Sequence, residues 1–244
     1  MLILLPPSET KRSGGVGISI DKLAIIWAAL DPARDALIER LENLCTNPAK
    51  AAKSLKLGKN GSSDIEANLS LRTSPTMPAV ARYTGVLFQA LGYASLTERA
   101  RRRASEQLFI QSALFGLLPA TEQIPYYKFS ATSKLEGVNL AQHWQDAHKA
   151  VWPRMVGEVL DLRSKSYTEL NPVPASHDRY EVEVLDQKGK ALNHFNKKAK
   201  GAFVRSALEQ GLKSASDIPA IAKTAGLRAE VDGRCVRLLV PEGF

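Results

Sequence analysis

The stretch HFNKKAKGAFVR, residues 194–205, sets Lys197, Lys198, Lys200 and Arg205 around Gly201, with an aromatic on either side and no acidic residue. These residue types suit an oxyanion. Lysine supplies a point charge, arginine can make paired hydrogen bonds to phosphate, and glycine lets a ligand approach bare backbone. On a helix running from Lys197 to Gln210, Lys197, Gly201 and Arg205 share one stripe, while Ala199, Phe203 and Ser206 share its neighbour. The same spacing suits a helix whose glycine admits a neighbouring element while its lysines point into water. Spacing alone does not separate the two. If an anion is held here, phosphate is the expected one, carried either by DNA or by a small ligand.

Other chemistry is announced more faintly. His143 and His148 are too far apart for one helix face, and neither Cys45 nor Cys235 has a nearby partner, so no metal site and no disulfide framework is expected. His177 and His194 are isolated histidines that could serve as bases, and no GxSxG or cysteine signature marks a nucleophile. The run SETKR before Gly14, Gly15 and Gly17 forms a polar loop behind an apolar segment, but GGVG matches no phosphate-loop or dinucleotide fingerprint. Lys50, Lys53, Lys56 and Lys59 recur at every third position, a loose spiral on one side of a helix. In RARRR, Glu98 and Glu106 partly offset the arginines, which reads first as a solvated face.

The elements that must hold these residues alternate. Leu2–Leu5 is an apolar run stopped by Pro6 and Pro7, as for a fully buried strand with a ligand-contacting loop behind it. Helices are predicted over 31–57, 78–91, 96–118 and 140–160, the last interrupted by Pro153. Strands are predicted at 159–164 and 179–186, a short helix opens at Ser216–Pro219, and Asp232-Gly233 turns a hairpin. Interspersed strands and helices without a repeat or long linker imply one α/β domain over residues 1–244, a mixed sheet surrounded by helices.

A formal net charge of +8 raises the expectation of a polyanionic partner. No apolar run reaches the length of a membrane span, and two distant cysteines fit a reducing compartment, so a cytoplasmic protein is expected.

Six motifs in order carry a resemblance along almost the whole chain: MLILLPPSETK, RYTGVLFQAL, QSALFGLLPATEQIPYYK, NLAQHW, LDLRSKSY and FNKKAKG. Together they resemble the YaaA family of bacterial peroxide-stress proteins. The resemblance implies a compact α/β domain with a positively charged cleft, survival of peroxide stress, limitation of damage from unincorporated iron, and duplex-DNA binding through a helix-hairpin-helix-like element. LFGLLP, with Leu114, Gly116 and Leu118, is the best hairpin candidate, although the second glycine of the usual hairpin is absent. Glu9 replaces the family's early lysine, with Lys11 displaced by two, and Ser166 stands where an acidic residue often precedes the motif's tyrosine.

Two functions follow as expectations. In the first, Lys197, Lys198, Lys200 and Arg205 neutralise DNA phosphates, with Lys11 and Lys128 at the cleft rim, and backbone and shape are recognised because no base-reading motif is visible. In the second, the family-type polar positions Ser8, Glu9, Tyr83, Thr84, Ser112, Tyr126, Lys128, Ser164, Tyr167, Asn196 and Lys197 line the pocket of an enzyme acting on a nucleotide, a nucleobase or another small anion. Glu9 is then the candidate general base, Lys197 or Lys198 the anion stabiliser, and Tyr83 a further catalytic candidate. No cofactor or protein partner is called for by either reading.

Overall fold

A computed structural model of the chain describes residues 1–22, 25–58, 61–192 and 195–244. At its centre are five parallel strands, β1 (Leu2–Leu5), β3 (Leu108–Ser112), β6 (Val159–Asp161), β7 (Arg179–Asp186) and β9 (Cys235–Val240), in the order β3-β1-β6-β7-β9. An antiparallel strand closes each edge: β4 (Gly116–Pro119) beside β3 and β8 (Arg228–Asp232) beside β9. A separate two-stranded pair joins β2 (Met77–Pro78) to β5 (Gln123–Ile124). The sheet is mixed, and the architecture is α/β as the sequence implies.

β1 reads as an unbroken apolar run because helices cover both faces of its sheet, and Ile3, Leu4 and Leu5 are fully buried. Before the second central strand the chain runs through α1 (Asp31–Cys45), α2 (Pro48–Leu55), α3 (Gly61–Leu69), α4 (Ala79–Arg82), α5 (Val86–Leu91) and α6 (Glu98–Gln107). The later helices are α7 (Leu140–His148), α8 (Lys165–Thr168), α9 (Phe195–Gln210) and α10 (Ile218–Thr224). Their starts follow local chemistry. Proline occupies the first turn of α1 and α2, and the side chains of Asn47, Thr97 and Asn139 accept from the backbone N–H groups of Lys50, Ala100 and Gln142. One continuous set of buried side chains unites sheet and helices.

Several boundaries differ from expectation. The helix expected over 31–57 breaks after Cys45, and that over 78–91 breaks at Tyr83–Gly85, where Gly85 takes φ +104°. The helix expected over 96–118 ends at Gln107, and the chain then enters the β3–β4 hairpin. Its turn carries LFGLLP into the interior, where every residue from Leu108 to Ala120 is buried. A Cβ on Gly116 would lie 2.7 Å from the Trp144 ring. Leu114, Gly116 and Leu118 therefore form a core β-hairpin rather than a DNA-contacting one, since none reaches a surface a duplex could touch. A continuous apolar run fits a buried strand and a buried helix equally well, which is why periodicity misread it.

Among the described residues, no helix is long and apolar enough to cross a membrane, and no three His, Cys, Asp or Glu side chains are grouped to hold a metal ion. Lys59 and His194 lie outside the described residues.

Candidate functional site

From β1 the chain crosses to β3 on one side, and a later connection returns to place β6 on the other. The β1–β6 boundary is thus the switch point of the parallel sheet, where the loops leaving two carboxyl ends diverge and open a crevice. A cleft of about 560 Å³ lies there. One wall is the loop after β1, from Pro6 to Thr10; opposite it are Leu162, Ser164, Ser166 and Tyr167 after β6; Thr84 to Phe88 and the α9 residues Asn196, Lys197 and Lys200 complete it.

Local hydrogen bonds shape the β1 loop. Ser8 Oγ accepts from the Thr10 backbone N–H at 3.3 Å, and Thr84 N–H donates to Thr10 O at 3.0 Å. A Cβ on Gly85 would fall 2.8 Å from Ser8 Oγ. The Tyr-Thr-Gly motif therefore seats this loop: the threonine through its backbone, the glycine by its missing side chain. Further along, the buried Arg82 guanidinium donates to four main-chain carbonyls, Arg12 at 2.6 Å, Gly14 at 2.7 Å, Pro75 at 3.2 Å and Ile124 at 3.0 Å.

The other wall rests on a buried ion network. Asp161 at the end of β6 receives Arg163 through Nε and Nη2, both at 2.8 Å, and Arg179 Nε at 3.0 Å. These cations hold the Asp161 carboxyl below its usual range against the opposing effect of burial. Arg163 also donates to Asn171 O at 2.8 Å, and Asn171 reaches Gln111 on β3 at 2.9 Å, so β3, β6 and the following loop are tied beneath the cleft.

Lys200 emerges on the cleft floor. It is 8 % exposed, donates to Leu162 O at 2.9 Å, and is pushed down to about 8 by burial, with Asp161 and Glu181 opposing. Asn196 and Lys200 are one helical turn apart on α9, so both face the same concavity as Lys197. Glu9, Ser8, Thr84, Ser164 and Tyr167 share it.

The remaining expected residues point elsewhere. Lys198 stands 4.8 Å from the ring centre of Phe244, away from the cleft lining. Arg205 is spent on the carboxyl end of α5, where its Nη1 donates to Leu91 O and Gly92 O at 3.1 Å and to Ser95 Oγ at 2.9 Å. Gly201 is buried against α5, so the open backbone expected there is a helix–helix contact. Lys11 lies on the far side of the β1 loop, its ammonium 4.4 Å from the ring centre of Tyr127 and 5.6 Å from that of Tyr83, and burial pushes it down to about 8. It lines a second cavity, of about 380 Å³, with Ser13, Ser74 and Tyr126. Lys128 is fixed through its backbone, which exchanges two hydrogen bonds with the Asn68 side chain.

Tyr83 and Ser112 are joined through a residue that sequence reasoning passed over. Tyr127 Oη lies 2.7 Å from Tyr83 Oη and 2.8 Å from Ser112 Oγ, and all three residues are buried. Ser112 Oγ already accepts from Leu114 and Phe115 N–H, which orients its own proton toward Tyr127. Burial pushes Tyr83 up to about 12. Tyr126 instead donates to Asp64 at 2.8 Å. Phe88 and Leu162 in the cleft were also missed, and an apolar residue gives no chemical signal in a sequence. Asp161 and Arg163 did give one, a charged pair inside the strand-like LDLRS.

Five parallel strands with a cleft at their switch point define an α/β protein of the open, mostly parallel kind. The family described as peroxide stress protein YaaA matches residues 1–232. A UPF0246 protein of Corynebacterium glutamicum is 38% identical over 241 residues, covering 94% of this chain and 95% of the relative. UPF0246 proteins of Corynebacterium efficiens and Streptomyces coelicolor are each 37% identical, over 243 residues (95% of this chain, 96% of the relative) and 219 residues (86% and 84%). The chain belongs to the peroxide stress protein YaaA family.

Proposed function

We propose that this peroxide-stress protein acts through its switch-point cleft, as an enzyme on a small anionic ligand of nucleotide or nucleobase size. One observation carries the reading: Asn196, Lys197 and Lys200 line one half-open cleft together with the acidic Glu9 rather than forming a purely basic stripe. Its volume of about 560 Å³ suits a small molecule and excludes a duplex. Glu9 is the group that can accept a proton, Lys197 balances the ligand's charge, the hydroxyls of Ser8, Thr10 and Ser164 orient it, and Phe88 and Tyr167 supply an apolar wall.

The test is a thermal-shift and calorimetric screen of nucleoside monophosphates, nucleosides and nucleobases against wild type and Glu9→Gln. A ligand that stabilises both proteins but is turned over only by wild type supports the reading. A wild type that none of them stabilises overturns it.

A second reading is favoured by charge. Arg99, Arg101 and Arg102 on α6 and Lys197 and Lys198 at the start of α9 are exposed on a chain of net charge +8. Such a surface can neutralise duplex phosphates, and a protein lying on DNA would shield it from iron-linked oxidation. Anisotropy titrations of a short duplex at several salt concentrations test this. Micromolar binding near physiological salt that is lost in a Lys197→Ala/Lys198→Ala double variant supports DNA as a partner. Binding that vanishes with modest salt and ignores the substitutions rejects it.

A further inference from the structure

We infer that Lys200 anchors a phosphate subsite on the floor of the cleft, and that the cleft's ligand is a phosphate monoester. The inference rests on the cleft reading above and specifies its substrate class.

Lys200 carries a charge that the fold does not neutralise. Its hydrogen bond goes to a neutral carbonyl, Leu162 O, while the residue is 8 % exposed. Asp161 is adjacent on β6, but Arg163 and Arg179 take both of its oxygens. Glu181 on β7 pairs with Arg179 at 3.3 Å. An ammonium withdrawn from water without a carboxylate partner is costly, and an anion entering the cleft would compensate it. Two of its three N–H bonds have no acceptor among the described residues.

The surroundings fit a dianion with several terminal oxygens. Lys197 and Asn196 project from the same helix, and Ser164 and Ser166 bring hydroxyls from the opposite wall. Two cations, an amide and two hydroxyls exceed what a carboxylate's single charge and two oxygens can use. Glu9, on the β1 loop, repels a phosphate and leaves the α9 side as its seat. A nucleic-acid strand cannot bring a phosphodiester against a lysine so deeply buried.

The charged groups acting on Lys200 are Asp161 of β6 and Glu181 of β7, while Lys197 of α9 and Glu9 of the β1 loop line the same cleft. With burial holding free Lys200 down to about 8, a bound dianion raises it, so binding takes up a proton at alkaline pH. Affinity is highest between about pH 6, where the monoester takes up its own second proton, and pH 8, and falls on either side.

The experiment is calorimetry and phosphorus NMR with inorganic phosphate, adenosine monophosphate and adenosine, at pH 7 and pH 9, on wild type, Lys200→Met and Lys197→Met. Expected are binding of phosphate and the monophosphate in competition, about tenfold weaker at pH 9 than at pH 7, with at least a tenfold loss in Lys200→Met. Adenosine should bind weakly and equally in wild type and variants. Phosphate binding that is independent of pH and indifferent to Lys200→Met overturns the subsite while leaving the cleft reading standing. A wild type that binds none of the three overturns both. Should Lys200→Met fail to fold, the pH profile of wild type and the loss in Lys197→Met decide the matter.

Discussion

The backbone of Gly201 lies so close to Leu87 that a Cβ built on it would sit 2.2 Å from the Leu87 carbonyl oxygen and 2.8 Å from the Ala90 Cβ. Two helices meet there at a distance only glycine permits. Gly201→Ala should therefore force α5 and α9 apart, costing about 1–3 kcal/mol as overpacking does. Urea unfolding measures the loss. Because Phe88 and Lys200 ride on the two separated helices, ligand affinity in the cleft should fall as well.

Arg205 presents a choice between anion contact and architecture, and its hydrogen bonds to the carboxyl end of α5 favour the latter. Arg205→Ala should lower unfolding free energy by about 1.5–3 kcal/mol, the range for hydrogen bonds from a charged donor. Binding of phosphate or duplex DNA, measured where the variant is still folded, should be unchanged. A large loss of DNA affinity at intact stability would count against the structural role.

The architecture was largely legible in the sequence, and the reasons differ by element. β1 and β7 announced themselves by an unbroken run and by alternation, and the Asp232-Gly233 turn carried its own geometry. The β3–β4 hairpin did not, because burial on every side removes the alternation that tells a strand from a helix. Of the residues lining the cleft, Glu9, Asn196, Lys197 and Lys200 stood out in the sequence by type. What the sequence could not show was direction. Neighbouring lysines look alike as letters, yet Lys197 lines the cleft and Lys198 turns to Phe244 because successive helical residues point about 100° apart.

His148 should make the fold acid-sensitive. Its Nδ1–H donates to Trp144 O at 2.7 Å and its Nε2 accepts from Leu117 N–H at 3.0 Å, so the native ring is neutral. Burial, with Arg163 and Arg34 adding to it, pushes it down to about 4. The unfolded chain then takes up a proton that the native state refuses. Stability is fully present above pH 6.5 and falls between 6.5 and 4, by up to about 1.4 kcal/mol per pH unit. Urea midpoints at pH 7, 6 and 5 measure the slope. His148→Gln should lower stability at pH 7 and flatten that slope.

Asp161→Asn tests the network under the cleft. Removing one charge leaves Arg163 buried against a neutral amide, which costs about 3–5 kcal/mol when a buried pair is broken. The loss should be visible as a lower urea midpoint at pH 7. A shift well under 1 kcal/mol would mean that Asn171 and Gln111 alone can hold the arginine.

Arg82 fastens the loop behind the cleft by gripping the carbonyls of residues 12 and 14, not their side chains. Such a grip cannot read which amino acids it holds. Substitutions at Arg12 and Ser13 should drift freely among relatives, Gly14 being held to glycine by its φ of +72°, whereas an inserted or deleted residue would move the carbonyls off the guanidinium and release the strap. This segment is accordingly constrained in length and, at residues 12 and 13, almost unconstrained in spelling, so an alignment that scored only identity there would mistake a fixed part of the scaffold for a dispensable one.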